Sequence, residues 1–443
     1  MVKKFLFLAI YFLSPILPIL AIYTSNPRFY GSNGFIPMVL GSIAFTWLNL
    51  QLILSSRPKF IESYFGLDKF YRFHGLMAAI AIALAFSHKL LKGLTFSESF
   101  TTQLGDVAII IFIGAAVLAL IFMVDTIIKK IKILNTLRTL SKKIEIGKYN
   151  VQVILHNLNV IAVIFVFLHV MLTNSAKNPI IKTVYTLYFV VSISFYLYHK
   201  IIKRYLLQNK FIIKEIIQES EYMWTLKMYP FKGKVMDYKP GQFGFIRILG
   251  NGISSEEHPF SISSQPLNKE YISITIKNLG DWTANIKNVK SGSTALLDAP
   301  YGRFSPMLYN DEGGIVLIAG GVGITPILSI LRYFYEFKKD QKITLFWGLN
   351  SISEIVCSDE FDLFSKEMKN FSLIPVVAKD KDFEGEKGFI NQEKLERLIK
   401  SEDGLEHLQY FICGPAIMQT TVLKSLKSMG INNSKLHYES FSL

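Results

Sequence analysis

Apolar residues dominate six blocks of the first 200 positions, roughly 4–23, 35–55, 72–92, 104–126, 152–173 and 179–199. A helix rises about 1.5 Å per residue, so about 20 such residues cross the ~30 Å hydrocarbon layer of a bilayer. Each block therefore predicts a membrane-spanning helix. The first opens with Lys3-Lys4 in the manner of a secretory leader. Its run is long, contains Pro15 and Pro18 and leads at once into further spans, so it reads as a retained helix.

Beyond Leu206 the pattern changes to short alternating runs, FIIKEII, YMWTLKM, GQFGFIRIL, PFSISS and YISITIKN, parted by turn residues such as Lys239-Pro240-Gly241 and Gly250-Asn251-Gly252. These predict a small antiparallel barrel. After Asp311, buried strands (GIVLIAG, KITLFWGL, SLIPVVA, LQYFICG) alternate with helical stretches, the pattern of a parallel, doubly wound α/β unit. The expected fold is a six-span α-helical membrane bundle over 1–205, a β-barrel over 206–306 and an α/β nucleotide-binding domain over 307–443.

The net charge of +14 would suit a nucleic-acid binder, but the basic residues cluster beside the apolar spans, where membrane topology puts them. Arg57, Lys59, Lys69 and Arg72 follow the second span. Lys129, Lys130, Lys132, Arg138, Lys142, Lys143 and Lys148 follow the fourth, and Lys200, Lys203 and Arg204 the sixth. The opposite loops carry fewer: Arg28, Lys89, Lys92, Lys177 and Lys182. By the positive-inside rule the chain lies in the cell membrane with both termini and the soluble half cytoplasmic, and no nucleic-acid partner is expected. The basic loop TIIKKIKILNTLRTLSKKIEIGK reads as a segment resting on anionic lipid, as a docking shelf for the soluble half, or as both. Lys89 and Lys92 either neutralise an anionic group or snorkel to the interface. The two cysteines, Cys357 and Cys413, both in the soluble half, imply no disulfide framework.

Two pairs of histidines stand inside the third and fifth spans. His74 and His88 are fourteen positions apart in the third, and His156 and His169 thirteen apart in the fifth. Each pair covers roughly 20 Å, two levels within one bilayer. Ionisable groups at such depth are costly and functional, and imidazole is an axial ligand for haem iron. Two parallel helices offering histidines at two depths would hold two stacked haems, His74 with His156 and His88 with His169. Hydrogen-bonded core histidines and a proton relay are the competing readings. Fourteen residues return to within about 40° of the same helix face, but thirteen miss it by about 140°. The fifth span must be overwound or tilted, or must meet its haems from different sides.

In the soluble half, Gly320-Gly321-Val322-Gly323-Ile324-Thr325-Pro326 joins a buried strand to a helix start, where glycines let the backbone approach a pyrophosphate. Pro326 suits a first helical turn. His258-Pro259-Phe260-Ser261-Ile262-Ser263-Ser264 resembles the flavin-binding HPF[ST]xxS stretch of the NADPH oxidase and ferric reductase branch of the ferredoxin–NADP reductase family. Ile276-Lys277 with Gly280-Asp281-Trp282-Thr283 resembles its pyrophosphate segment, where a helix begins. Pro300-Tyr301-Gly302 resembles its PYG turn, GGVGITP its nicotinamide loop, Cys413-Gly414-Pro415 its CGP turn, and His437-Tyr438-Glu439-Ser440-Phe441 its ending with a ring over the flavin. The membrane half independently resembles the ferric reductase-like six-helix domain, so the resemblance covers nearly the whole chain.

This resemblance implies an FAD-binding barrel and an NAD(P) domain, with electrons passing from NADPH or NADH through FAD and two b-type haems to an extracytoplasmic acceptor. That acceptor is O2, giving superoxide, or alternatively a ferric chelate. A further alternative is a cytochrome supplying electrons to a quinone or methionine sulfoxide reductase partner. Cys413 and Phe441 carry catalytic roles by resemblance. His258, Pro259, Phe260, Ser261, Ile276, Lys277, Trp282, Thr283, Gly320, Gly321, Gly323, Thr325, Pro326, Gly414, Pro415 and Glu439 would bind the flavin and nicotinamide cofactors. His74, His88, His156 and His169 would bind iron. No EF-hand loop is present and no obligatory regulatory subunit is expected. Two departures stand out: Ser442 and Leu443 follow Phe441, and Asn350 stands where NADPH-selective relatives carry an arginine.

Overall fold

The computed structural model describes residues 2–25, 34–93, 99–123, 136, 149–203, 209–250, 252–309, 313–399 and 404–439. The basic loop over 126–148, apart from Thr136, and Phe441 lie outside them. The chain divides into two compact units, Met1–Leu206 and Leu207–Leu443.

The first unit is helical. Among the described residues, six helical segments are long and apolar enough to cross a membrane. The first is α1 (Val2–Leu13) followed by α2 (Ile16–Ser25), interrupted where Pro15 and Pro18 cannot continue the hydrogen-bond ladder. α3 (Phe35–Ser55) matches the second apolar block, and a short α4 (Lys59–Phe65) precedes the third. Gly66, at φ +79°, both ends α4 and starts α5 (Leu67–Lys92), a single unbroken helix through His74 and His88. α6 (Phe100–Met123) is followed by α7 (Tyr149–Asn157), α8 (Asn159–Met171) and α9 (Pro179–Leu197). Asn178 caps α9, its side chain accepting from Ile180 N–H at 2.9 Å. Between the two histidine levels the helices meet on Ala81, Ala108 and Ala162, all fully buried, with Leu48, Leu52, Phe112 and Val163 around them. Leucine, isoleucine and valine cover the outward faces, where lipid is their solvent.

The fifth span departs from a regular α-helix between its two histidines. α7 ends one residue after His156, and at Leu158 the chain tightens: Leu158 N–H bonds to the Leu155 carbonyl, three residues back, at 3.2 Å. An i→i+3 turn winds more angle per residue than an α-helix. The span is locally overwound between its histidines, and both rings reach the third span.

The second unit begins with a six-stranded antiparallel barrel in the order β4-β3-β6-β1-β2-β5. Its strands are β1 (Asn209–Ser220), β2 (Met223–Pro230), β3 (Phe243–Leu249), β4 (His258–Ser261), β5 (Ile272–Lys277) and β6 (Thr294–Tyr301). A bridge between Ile262 and Ile274 links its two end strands. Isoleucines 213, 246, 248, 272 and 276 fill the interior.

A wholly parallel sheet follows, in the order β10-β9-β8-β7-β11-β12. Its members are β7 (Ile315–Gly320), β8 (Ile343–Leu349), β9 (Phe371–Val377), β10 (Glu386–Lys387), β11 (Gln409–Cys413) and β12 (Leu436–Tyr438). β7 is buried at all six positions, as a central strand covered on both faces must be. Leu317 and Ala319 pack towards α10 (Ile324–Phe337) and α11 (Ser358–Glu367). Val316 and Ile318 pack towards α12 (Gln392–Leu398) and α13 (Ala416–Ser428). Strand order reverses between β7 and β11, and in such folds the ligand crevice opens at the carboxyl ends of those two strands.

Candidate functional site

In the helical unit the four histidines meet as two pairs. The ring centres of His74 and His156 are 6.3 Å apart and their planes cross at 66°. Those of His88 and His169 are 6.4 Å apart, crossing at 83°. Twice a metal–imidazole bond of about 2.0 Å, plus roughly 1.1 Å from nitrogen to ring centre on each side, comes to about 6.2 Å. The separation is thus what one iron between two imidazoles requires.

Further features fit that reading. His88 Nδ1 lies 2.7 Å from the Pro37 carbonyl and His169 Nδ1 2.7 Å from that of Thr101. A carbonyl only accepts, so Nδ1 carries the hydrogen and Nε2 keeps its lone pair for a metal. Glycine makes room for both rings. A Cβ on Gly41 would lie 2.8 Å from His88 Nδ1, and one on Gly105 3.1 Å from His169 Nδ1. The Nδ1 atoms of His74 and His156 are buried without a hydrogen-bond partner among the described residues. No cluster of three or more histidine, cysteine or acidic residues able to hold a metal occurs among the described residues. A porphyrin supplies four nitrogens itself, so two imidazoles suffice. Lys89 is bound to Asp106 at 2.5 Å, with Asp106 almost fully buried, so its charge is already met inside the unit.

On the barrel, β4 pairs with β3 in the register Phe243↔Ser261 to Ile246↔His258. The His258 ring packs 4.4 Å from Trp282, and Phe260 stacks on the same indole at 5.7 Å. Trp282 is buried and donates from Nε1 to the Ser254 carbonyl at 2.8 Å, so it is a platform under the motif. Burial pulls the His258 imidazole below its ordinary 6.5, against the raising effect of the Glu256 carboxylate 3.3 Å away. Pro259 is half-buried and Ser261 buried. The Ile276 side chain lies wholly in the barrel core, leaving its backbone for any ligand. Where the resemblance implies a helix start, the structure has a short 3₁₀ turn, Thr283–Asn288. The Thr283 hydroxyl closes that loop on itself, accepting from Leu279 and Gly280 N–H at 2.9 Å each and donating to the Gly280 carbonyl at 3.0 Å. Lys277 lines a small hollow with Tyr222, Gly321 and Glu354.

At the switch point the glycine loop and the CGP turn press backbone against backbone. A Cβ on Gly323 would fall 2.1 Å from the Cys413 carbonyl oxygen, and one on Gly414 2.9 Å from Gly320 N. Gly320 faces Met418 and Pro415 just as closely, and Gly321 holds φ at +50°. Trp347 Nε1 donates to the Gly321 carbonyl at 3.1 Å, and Thr325 Oγ1 to that of Val322 at 2.8 Å. Pro326 sits in the first turn of α10, where its missing N–H costs nothing. Cys413 is 1% exposed; burial, with the Glu439 charge adding to it, pushes its thiol far up and keeps it protonated. The Glu439 carboxylate accepts from Arg303 N–H beside Gly302, and its backbone carbonyl accepts from Gln419 Nε2 at 2.9 Å. Asn350, just after β8, donates from its backbone and side-chain nitrogens to the Glu354 carboxylate at 3.2 Å each. Gly41, Gly105, Asp106 and Glu354 were invisible as site residues in the sequence. For the two glycines the one available signal is glycine inside an apolar helix, where it costs stability unless something needs the space.

Three family models match the chain in order: the ferric reductase like transmembrane component over 40–168, the FAD-binding domain over 215–342 and the oxidoreductase NAD-binding domain over 317–424. Among individual proteins, it is 27% identical over 215 residues to a subunit of the Na(+)-translocating NADH-quinone reductase of Pseudoalteromonas atlantica, covering 45% of this chain and 52% of that protein. It is 29% identical over 208 residues to the gamma subunit of sulfhydrogenase 2 of Pyrococcus furiosus, covering 45% and 70%. The chain thus spans about half the length of the first of these relatives. Among solved structures, the flavohemoglobin of Malassezia yamatoensis superposes with a TM-score of 0.51 at 18% identity, over 94% of this chain and 98% of that one, a likeness of fold alone. The FAD/NAD-binding domain of a nitric oxide dioxygenase from Vibrio cholerae gives 0.47 at 26% identity, over 52% and 98%. Six apolar spans, an antiparallel barrel and a parallel sheet, matched in that order, give this chain the ferric reductase/NADPH oxidase-type architecture: a ferric reductase-like membrane domain joined to FAD- and NAD-binding oxidoreductase domains.

Proposed function

We propose that the chain is an NAD(P)H oxidoreductase that carries electrons across a membrane. The donor is cytoplasmic NAD(P)H, the carriers are FAD and two b-type haems, and the acceptor on the far side is O2, giving superoxide. The observation that carries this reading is the double histidine pair, two sets of facing imidazoles at 6.3 and 6.4 Å on two levels of one helix bundle. When bound, flavin converts hydride into single electrons and porphyrin iron relays them. His74 with His156, and His88 with His169, would each grip one iron. The Pro37 and Thr101 carbonyls hold the second pair in the tautomer that leaves Nε2 free. His88 and His169 would both be engaged in holding iron, so an acceptor would be met beside that pair rather than on the metal.

In the soluble unit the His258–Ser261 strand would orient the flavin and the Gly320–Gly323 loop the nicotinamide. Cys413 keeps its proton on Sγ and contributes shape rather than a thiolate. The Glu354 carboxylate bound to Asn350, which stands where NADPH-selective relatives carry an arginine, supports NADH as the donor. The distribution of lysine and arginine supports a cytoplasmic soluble unit.

The test is spectroscopic. Purified in nanodiscs, the chain should hold two haems and one FAD, with a Soret band that shifts on adding NADH. An unchanged Soret band, or none, refutes the reading. The ferric reductase-like membrane match favours a ferric chelate as the second candidate acceptor. Superoxide yield against ferric-chelate reduction, with each nicotinamide in turn, separates the two.

A further inference from the structure

One helix touches both halves of the redox site. α10 opens on the glycine loop, and its next turns reach the barrel at Ser263 and Ser264, the last two residues of the flavin motif. Ser329, fully buried, donates from Oγ to the Ser264 carbonyl at 2.6 Å. Arg332, three residues on and so on the same face, donates from one terminal nitrogen to the Ser263 carbonyl at 2.7 Å. Its other two nitrogens fork onto Glu360 at 2.7 and 2.6 Å. Glu360 sits in the first turn of α11, where the helix dipole favours a carboxylate. A bidentate guanidinium–carboxylate pair fixes its partners in angle as well as distance.

The strand end it grips is itself braced. Ser263 Oγ lies 2.9 Å from Ser273 Oγ and 3.2 Å from Thr275 Oγ1, and Ser264 Oγ accepts from Ser273 N–H at 3.0 Å. The Tyr238 hydroxyl lies 3.1 Å from the Ser264 carbonyl and 2.8 Å from that of Gln265. At the start of α10, Gly323 is seated against the Cys413 carbonyl, where an added Cβ would not fit. A rod held at its first turn and again at its middle presets the separation between the flavin strand and the nicotinamide loop.

We infer that Ser329 and Arg332, with Glu360 behind them, are positioning residues for hydride transfer: they lock the strand end at Ser263-Ser264 to the helix that starts at the nicotinamide loop. The inference rests on the reading that flavin lies along His258–Ser261 and nicotinamide at the Gly320–Gly323 loop. None of the three need touch either ligand. Their loss should lower the rate of the hydride step and leave nicotinamide affinity nearly unchanged, because a displacement of about 1 Å can cost roughly 100-fold in rate.

The experiment uses the full chain in nanodiscs, comparing wild type with Ser329→Ala, Arg332→Lys, Arg332→Met and Glu360→Gln. Flavin per chain, NADH affinity, single-turnover flavin bleaching and the isotope effect with C4-deuterated NADH are measured separately. For Arg332→Met the bleaching rate per bound flavin should fall about 10- to 100-fold. Affinity should stay within about twofold, the isotope effect should rise, and Arg332→Lys should recover part of the rate because one N–H can still reach Ser263. In flavin-free protein, amide exchange should quicken at 262–265 and 324–332 alone. Ser329→Ala leaves Tyr238 able to serve the Ser264 carbonyl, so it should fold and show a smaller loss of rate. Wild-type bleaching rates and isotope effects per bound flavin in the variants that fold overturn the inference, whatever happens to stability. A wild-type chain that binds no flavin defeats the underlying reading instead, and flavin stoichiometry tells the two failures apart.

Discussion

Gly41→Ala is the sharpest probe of the histidine site. The added Cβ would sit 2.8 Å from His88 Nδ1, 3.1 Å from Cε1 and 3.3 Å from Cγ. An ordinary contact is about 3.5 Å, so the ring must retreat by about 0.7 Å. It cannot do so freely, because Nδ1 is held 2.7 Å from the Pro37 carbonyl. A shift of that size is about a third of a metal–imidazole bond of about 2.0 Å. Overpacking of this kind costs about 1–3 kcal/mol, while alanine for glycine in a helix returns about 1 kcal/mol. The net, up to about 2 kcal/mol, falls on the His88/His169 site and, for the haem proposed there, would correspond to roughly 30-fold weaker retention. Gly105→Ala meets His169 at 3.1 Å and requires only a few tenths of an ångström, so its effect should be smaller. Haem per chain by pyridine haemochromogen, with a redox titration of each haem, is the assay. Two haems with wild-type potentials in Gly41→Ala, or a larger effect from Gly105→Ala, would refute the reasoning.

Three other outcomes are expected. Gly323→Ala puts a Cβ 2.1 Å from a backbone carbonyl that cannot yield, so NADH-driven dye reduction should fall at least about 100-fold while dithionite still reduces the haems. His258 has a lowered folded pKa, so the stability it contributes is complete above its ordinary 6.5 and declines as pH drops from there towards the folded value; thermal melts from pH 8 to 5 should show a slope that His258→Gln removes. Asp106→Asn takes away the carboxylate that meets the Lys89 charge, at a cost of up to about 3–5 kcal/mol, and should raise the midpoint potential of the neighbouring His88/His169 haem; Lys89→Met should lower it, and a titration showing no opposed shifts counts against the pairing.

Each feature that could be read in the sequence is local. Six apolar runs state six spans because any twenty such residues face the same lipid. Gly320–Pro326 and Cys413–Pro415 announce turns because glycine and proline act on their own backbone. What they do together is not local: Gly323 seats on Cys413 only because β7 and β11 pair in parallel across some ninety residues. The thirteen-position spacing of His156 and His169 leaves the helix phase open, and only the structure shows where the span departs from a regular helix, at the tightened turn of Leu158. No local motif singles out Arg332; the fold brings Ser263 and Glu360 into its reach.

By itself the amino-acid order determined the spans, the strand-and-helix rhythm, the four histidines and the run of nucleotide-binding turns, since periodicity and backbone chemistry act within a few residues. Only the tertiary structure decided which rings face each other, which glycines must stay bare and which helix joins Ser263-Ser264 to the Gly320–Gly323 loop. Those are distances between residues far apart in the chain, set by packing that no short stretch encodes alone.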